Sequence, residues 1–137
     1  MWYYWFVNQK SEVGKLGENI AAEYLRKNRY KIADRNFREK YGELDIVAKS
    51  KTGELVFIEV KTMKFNNCQE ESGLKPEDNL TGSKLRKLKR IASIYSGNNQ
   101  NLINDKAGWR IDLIAISLYY NSNGESKVCR LSHYKNI

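Results

Sequence analysis

At 137 residues, 41% of them hydrophobic, the chain is long enough for one domain with a real core and too short for two ordinary ones. That apolar content excludes a disordered chain, and no apolar run approaches the ~20 residues that span a bilayer, so no membrane partner is expected. A net charge of +8 points to an acidic partner, most commonly nucleic acid, although basic balance alone is not proof of one.

The opening MWYYWFVNQK is aromatic but has neither the basic start nor the small-residue cleavage site of a signal peptide. Residues 1–11 are expected to pack on the folded unit formed by 12–137, with an oligomer contact or a disordered tail as the alternatives. From Glu12 to Asn28 the pattern is helical. Val13, Leu16, Gly17, Ile20, Ala21, Tyr24 and Leu25 build one apolar stripe, and Ser11 is the expected N-cap. Gly14 and Gly17 each weaken a helix by roughly 1 kcal/mol relative to Ala, which suggests close approach by another group. Glu18 lies at the edge of the stripe; taken alone it reads as a solvated carboxylate.

Tyr30 to Phe37 reads as a strand, followed by a basic turn from Arg38 to Tyr41. Gly42 to Thr62 reads as two strands around a turn at Ser50–Gly53. Met63 to Gly82 is an irregular stretch containing the only proline, Pro76. Ser83 to Ser96 is a second helix, with Leu85, Leu88, Ile91, Ala92 and Tyr95 on its apolar face and Gly97 as its stop. Trp109 to Tyr120 is a nearly continuous apolar strand, expected to be central, and Lys127 to His133 is a last strand. The order of helix, three strands, helix and two strands predicts an α/β sandwich around a mixed sheet of about five strands. Cys68 and Cys129 lie far apart with no CxxC spacing; they read as free thiols in a reducing cytoplasm, and no zinc site is expected.

Two features of this layout carry chemistry. On the second helix Lys84, Arg86, Lys87, Lys89 and Arg90 occur with no carboxylate among them. Salt bridges between successive turns therefore cannot account for the run, and a phosphate-facing surface fits better than a merely solvated face. In the hairpin, alternation puts Glu43, Asp45 and Val47 on one side of the first strand, with Leu44, Ile46 and Ala48 on the other. On the second strand Phe57, Glu59 and Lys61 share a side, opposite Val56, Ile58 and Val60. Charges on otherwise apolar strands need a partner or a metal. If the strands are antiparallel neighbours, Asp45 and Glu59 converge into an oxygen-rich site of the kind Mg²⁺ prefers, where the ion activates a water and stabilises a phosphate as charge develops. Lys61 lies roughly 6–7 Å beyond Glu59 on the same face, within reach of a phosphoryl group or its attacking water. The competing reading is an ion pair of Lys61 with Glu59 or Asp45 that only holds the sheet together, and a lone ExK favours it.

A wider set of motifs shifts that balance. GKLGENIAAEYL (Gly14–Leu25), NFREKYGELDIVA (Asn36–Ala48), VFIEVKT (Val56–Thr62), SKLRKLKRIASIY (Ser83–Tyr95) and WRIDLIAI (Trp109–Ile116) occur in order over nearly the whole chain. Together they resemble the YraN-like family, small bacterial proteins of the PD-(D/E)XK nuclease fold related to archaeal Holliday-junction resolvases. The resemblance implies a restriction-endonuclease-like sandwich with 12–137 as a single nuclease-like domain, and a Mg²⁺- or Mn²⁺-dependent endonuclease acting on DNA, such as branched or repair intermediates. By the same resemblance Glu18, Asp45 and Glu59 would be metal ligands and catalytic acids, and Lys61 the motif lysine. Glu43 would support them as a neighbouring acid or an ion-pair partner. Thr62-Met63 departs from the basic residue usual after the lysine, and Lys64 would stand in. His133 resembles a histidine near the family's C-terminus, but a lone histidine is more often structural. RNA as substrate and a homodimeric state stay open. The rivals are a non-catalytic nucleic-acid-binding module that keeps its carboxylates for structure, and an assembly partner using the aromatic N-terminus.

Overall fold

The computed structural model describes residues 2–68 and 76–137, and the side chains of 12–68, 77, 78 and 80–137 among them. Helix α1 (Trp2–Lys27) leads into strands β1 (Lys31–Glu39), β2 (Gly42–Lys49) and β3 (Leu55–Phe65). Helix α2 (Gly82–Asn98), β4 (Trp109–Tyr120) and β5 (Ser126–Tyr134) follow. The strands form one five-stranded sheet in the order β1-β2-β3-β4-β5. Its pairs are antiparallel except β3 with β4, which run parallel. A parallel pair needs a crossover, and α2 supplies it.

Each face of the sheet is covered by one helix. Ala21, Ala22 and Leu25 of α1 pack with Ile46, Ala48, Val56, Ile58, Ile114, Ile116 and Leu118. Leu88, Ile91, Ala92 and Tyr95 of α2 pack with Leu44, Val47, Leu55, Phe57 and Ile111. The α/β sandwich and its element order are therefore as the sequence predicts. Gly17 makes the expected close approach: an added Cβ there would lie 1.8 Å from Thr62 Oγ1 on β3. At Gly14 no described atom outside the helix backbone lies within 4 Å of such a Cβ, so no close approach is seen there among the described residues.

Several local expectations are corrected. The first helix runs back through Ser11 to Trp2, so Ser11 is not its N-cap. The packing expected of the aromatic side chains of 1–11 lies outside the described residues. Gly97 does not stop α2, which continues to Asn98 and is capped by Asn99. Thr81 caps the other end, its hydroxyl accepting from the Lys84 backbone N–H at 3.2 Å. Strand β4 is interior as expected, buried between β3 and β5, although β3 is the middle strand of the five. Strand β3 extends to Phe65, its last residues paired along β4, so part of the stretch read as irregular is sheet. A short 3-10 turn follows at Pro76–Asn79, and 69–75 lie outside the described residues.

The cysteines are not free thiols: Cys68, just past β3, is disulfide-bonded to Cys129 on β5. Pairing between β4 and β5 shifts by one residue there, from Ser117 opposite Arg130 to Leu118 opposite Val128. Cys129 is the extra residue of that bulge. Sequence distance gave no hint of the pair because the parallel crossover brings the end of β3 beside β4, one strand from β5. With the thiols joined, the cysteines carry no argument for a reducing compartment. No described helix is long and apolar enough to cross a membrane.

Candidate active site

Strands β2 and β3 pair only from Ile46–Lys49 against Leu55–Ile58. Continued register would set Leu44 opposite Val60, but there the strands part. The Val60 N–H, which the ladder would have claimed, donates instead to Asp45 Oδ2 at 2.9 Å. A buried backbone donor needs an acceptor, and the aspartate provides it. This divergence overturns one sequence expectation: Leu44 packs with Val47 on the α2 side, not with Ile46 and Ala48. It also opens a cavity of about 650 Å³ between α1 and the two strands, lined by Glu18, Glu43, Asp45, Glu59 and Lys61 among others. The residues singled out on the first helix and the hairpin therefore meet in one place.

Their electrostatics are those of crowded acids. Burial, then the charge of Glu59, pushes the Asp45 carboxyl up to about 8, and the protonated acid hydrogen-bonds to Glu59. Lys61 Nζ lies 3.1 Å from Glu59 Oε1, with both side chains largely covered. Burial works against the Lys61 ammonium, but Glu59 and contacts with Lys84 and Asp45 outweigh it and hold the group above its ordinary value. Burial also raises Glu18, against the opposing charge of Arg35 and a hydrogen bond from Asn36. Asn36 was not singled out from the sequence. It stands in the middle of β1 with a φ of 53°, a left-handed conformation that asparagine tolerates better than most residues.

Glu43 lines the same cavity but is exposed and paired with Arg38 Nε at 3.3 Å. Of the basic run, Lys84 and Lys87 reach the site and border an adjoining cavity of about 290 Å³ together with Glu59 and Lys61. Lys84 is held below its ordinary value by its hydrogen bond with Lys61 and by that lysine's charge. Arg86, Lys89 and Arg90 are exposed farther along α2.

His133 is elsewhere. Its side chain is nearly buried, with Nε2 2.7 Å from Asp112 Oδ2 and Nδ1 3.1 Å from the Tyr24 hydroxyl. Arg110 Nε donates to Asp112 Oδ1 at 2.9 Å and Arg110 Nη2 to the Tyr30 hydroxyl at 3.0 Å, while Arg110 Nη1 binds Glu54. The Asn136 N–H also reaches Asp112. Burial alone would raise Asp112, but the hydrogen bonds from His133, Arg110 and Asn136 prevail and hold it below its ordinary value. This network joins α1, β4 and β5 away from the cavity. Arg110 and Asp112 sit two apart inside WRIDLIAI, and that spacing was the one available signal.

Among the described residues no three His, Cys, Asp or Glu side chains are gathered into a ready-made metal cage. The donor chemistry nonetheless suits a hard divalent cation. Two carboxylates so close that one holds a proton lose that conflict when a cation sits between them, and the open cavity leaves room for the waters that Mg²⁺ retains.

The sequence pattern of the uncharacterised protein family UPF0102 matches residues 17–116. The chain belongs to the UPF0102 family. The YraN-like motifs and this match describe the same relationship. A UPF0102 protein of Clostridium botulinum strain Loch Maree is 37% identical over 120 residues, covering 87% of this chain and 91% of its own length. One from Flavobacterium johnsoniae is 35% identical over 118 residues, covering 86% and 88%. One from Syntrophomonas wolfei is 44% identical over 84 residues, covering 61% and 68%. The UPF0102 match spans Glu18, Asp45, Glu59, Lys61 and the basic helix, whereas His133 and Cys129 fall beyond it.

Proposed function

We propose that this UPF0102 protein is a Mg²⁺- or Mn²⁺-dependent phosphodiesterase that cuts DNA as an endonuclease, on branched or repair intermediates. The observation that carries the reading is the Asp45–Glu59 pair, two carboxylates forced together beside Lys61 in an open cavity. A purely structural aspartate is not expected to be left protonated at neutral pH beside a second acid, whereas sites that work on charge collect such conflicts. Asp45 and Glu59 would hold the ion, with Glu18 facing them from α1. When bound, the ion supplies Lewis-acid charge to the phosphate and lowers the pKa of a water. The chain's own part is positioning. Val60 fixes Asp45 through its N–H. Lys61 presents an ammonium to a non-bridging phosphate oxygen, and Lys84 and Lys87 extend that positive edge along α2. Recognition through phosphates and shape follows from the exposed cationic face of the helix and implies little base preference.

The Glu59–Lys61 ion pair favours the second reading, a binding module in which these charges only stabilise the sheet. Labelled linear, flapped, branched and single-stranded DNA and RNA, incubated with and without Mn²⁺ beside an Asp45→Asn control, separate the two. Mn²⁺-dependent cutting lost in the variant is expected. Binding without cutting on every substrate would leave the binding module.

A further inference from the structure

The β1–β2 arm bends toward α2 once β2 leaves β3. Phe37 packs edge-on against Tyr95 with ring centroids 4.9 Å apart, and Gly42 comes close to Ile91. This sets the hairpin tip on the helix and places Tyr41 beneath Arg90, whose guanidinium carbon lies 4.8 Å from the ring centroid. Tyr41 is nevertheless 52% exposed, more than Trp109, Val128 or Tyr134, the other exposed large apolar side chains described. Two of those are engaged: Trp109 packs on Phe57, and the Tyr134 hydroxyl donates to Glu77. Lys40, next to Tyr41 on the hairpin, is exposed, as is Lys87 on α2, while Arg38 is paired with Glu43. The cavity that begins at Glu59 and Lys61 ends at Gly42, the residue next to Tyr41.

An open aromatic ring backed by a guanidinium, beside exposed lysines, at the edge of a cavity shared with Glu59 and Lys61 is a surface for a flat anionic ligand. Both ring and guanidinium stack on nucleobases. A base inside continuous duplex is already stacked on its neighbours, so only an unpaired base has a free face to offer. Resting on the phosphodiesterase reading, we propose that Tyr41 and Arg90 form a stacking platform for an unpaired nucleobase beside the cleaved phosphate. The preferred substrate then carries single-stranded nucleotides at a gap, flap or branch.

The test is binding in EDTA, where no cutting occurs. Two DNA probes of equal length are used, one a continuous duplex and one with a short single-stranded gap holding 2-aminopurine. The wild-type chain is expected to bind the gapped probe more tightly and to quench its fluorescence. Tyr41→Ala is expected to lose roughly tenfold on the gapped probe, little on the duplex, and the quenching. Tyr41→Phe, which keeps the ring, is expected to behave as wild type. Equal loss on both probes, or no loss, overturns the platform while leaving the phosphodiesterase reading in place. Failure of the wild-type chain to bind either probe likewise overturns the platform, and the phosphodiesterase reading then stands or falls on the Mn²⁺ cleavage assay.

Discussion

Asp45 ties the shape of the site to its charge. Its carboxylate takes the N–H that β3 withholds from β2, and the same position puts it against Glu59. With a native value of about 8 against 3.8 for the free side chain, it keeps its proton in the folded protein over a range where the unfolded chain has lost it. The native state then binds more protons, so stability of the metal-free protein falls as pH rises from about 4 to about 8. Denaturation curves across that range should show the decline, on the order of a few kcal/mol, and Asp45→Asn should flatten it. Asp112 acts in the opposite sense. Held below its ordinary value of 3.8, it contributes stability above that pH that is lost on acidification, so the two effects occupy separate windows. Alternation along strands was enough to suggest Asp45, Glu59 and Lys61 as neighbours from sequence, but not the change of phase at Asp45 that puts Leu44 and Ile46 on opposite faces of β2. The left-handed turn at Asn36 and the Asp112–His133–Tyr24 network were not legible. They depend on contacts spanning up to 109 residues, for which local patterning carries no signal.

Helix α1 delivers Glu18 only because Gly17 lets it lie against β3. Gly17→Ala would drive a Cβ to 1.8 Å from Thr62 Oγ1 and 2.8 Å from Thr62 Cβ, so the helix must move and Glu18 with it. A destabilisation of roughly 1–3 kcal/mol is expected, together with weaker Mn²⁺ binding. Adding Thr62→Ala should recover only part of the stability, since it removes the hydroxyl contact but not the one to Cβ. Full stability in Gly17→Ala alone would contradict the close approach. The helix periods themselves were plain in the sequence, while their ends were not. Gly97 and Ser11 carry the right chemistry for helix ends, but the helices run on through both. The disulfide was equally hidden. Joining residues 61 apart, it should stabilise the fold by roughly 4 kcal/mol on chain-entropy grounds. Alkylation of the denatured, unreduced protein should find no free thiol, and reductant should lower the melting temperature. Two reactive thiols in protein purified under oxidising conditions would contradict the pairing.

Across the molecule, one break in the sheet organises everything else. Where β2 and β3 part, the cavity opens, the acids converge from α1, β2 and β3, and the hairpin arm carries Tyr41 onto the cationic helix. The sandwich and its order could be read from hydrophobic periods, but not the break, because Leu44 has the same apolar character on either side of the strand. Whether this centre holds a metal is the claim on which the functional account stands. The most direct measurement is a Mn²⁺ titration followed by paramagnetic resonance and thermal melting, on wild type, Asp45→Asn and Glu59→Gln. The wild type is expected to bind Mn²⁺ and to melt higher with it, with an affinity that rises with pH toward 8 as Asp45 gives up its proton, and both variants are expected to lose the ion while folding no less stably without it. A wild type that binds no Mn²⁺, with variants destabilised by about 3–5 kcal/mol as Lys61 is left without its partners, would mean that the carboxylates hold the sheet and nothing more.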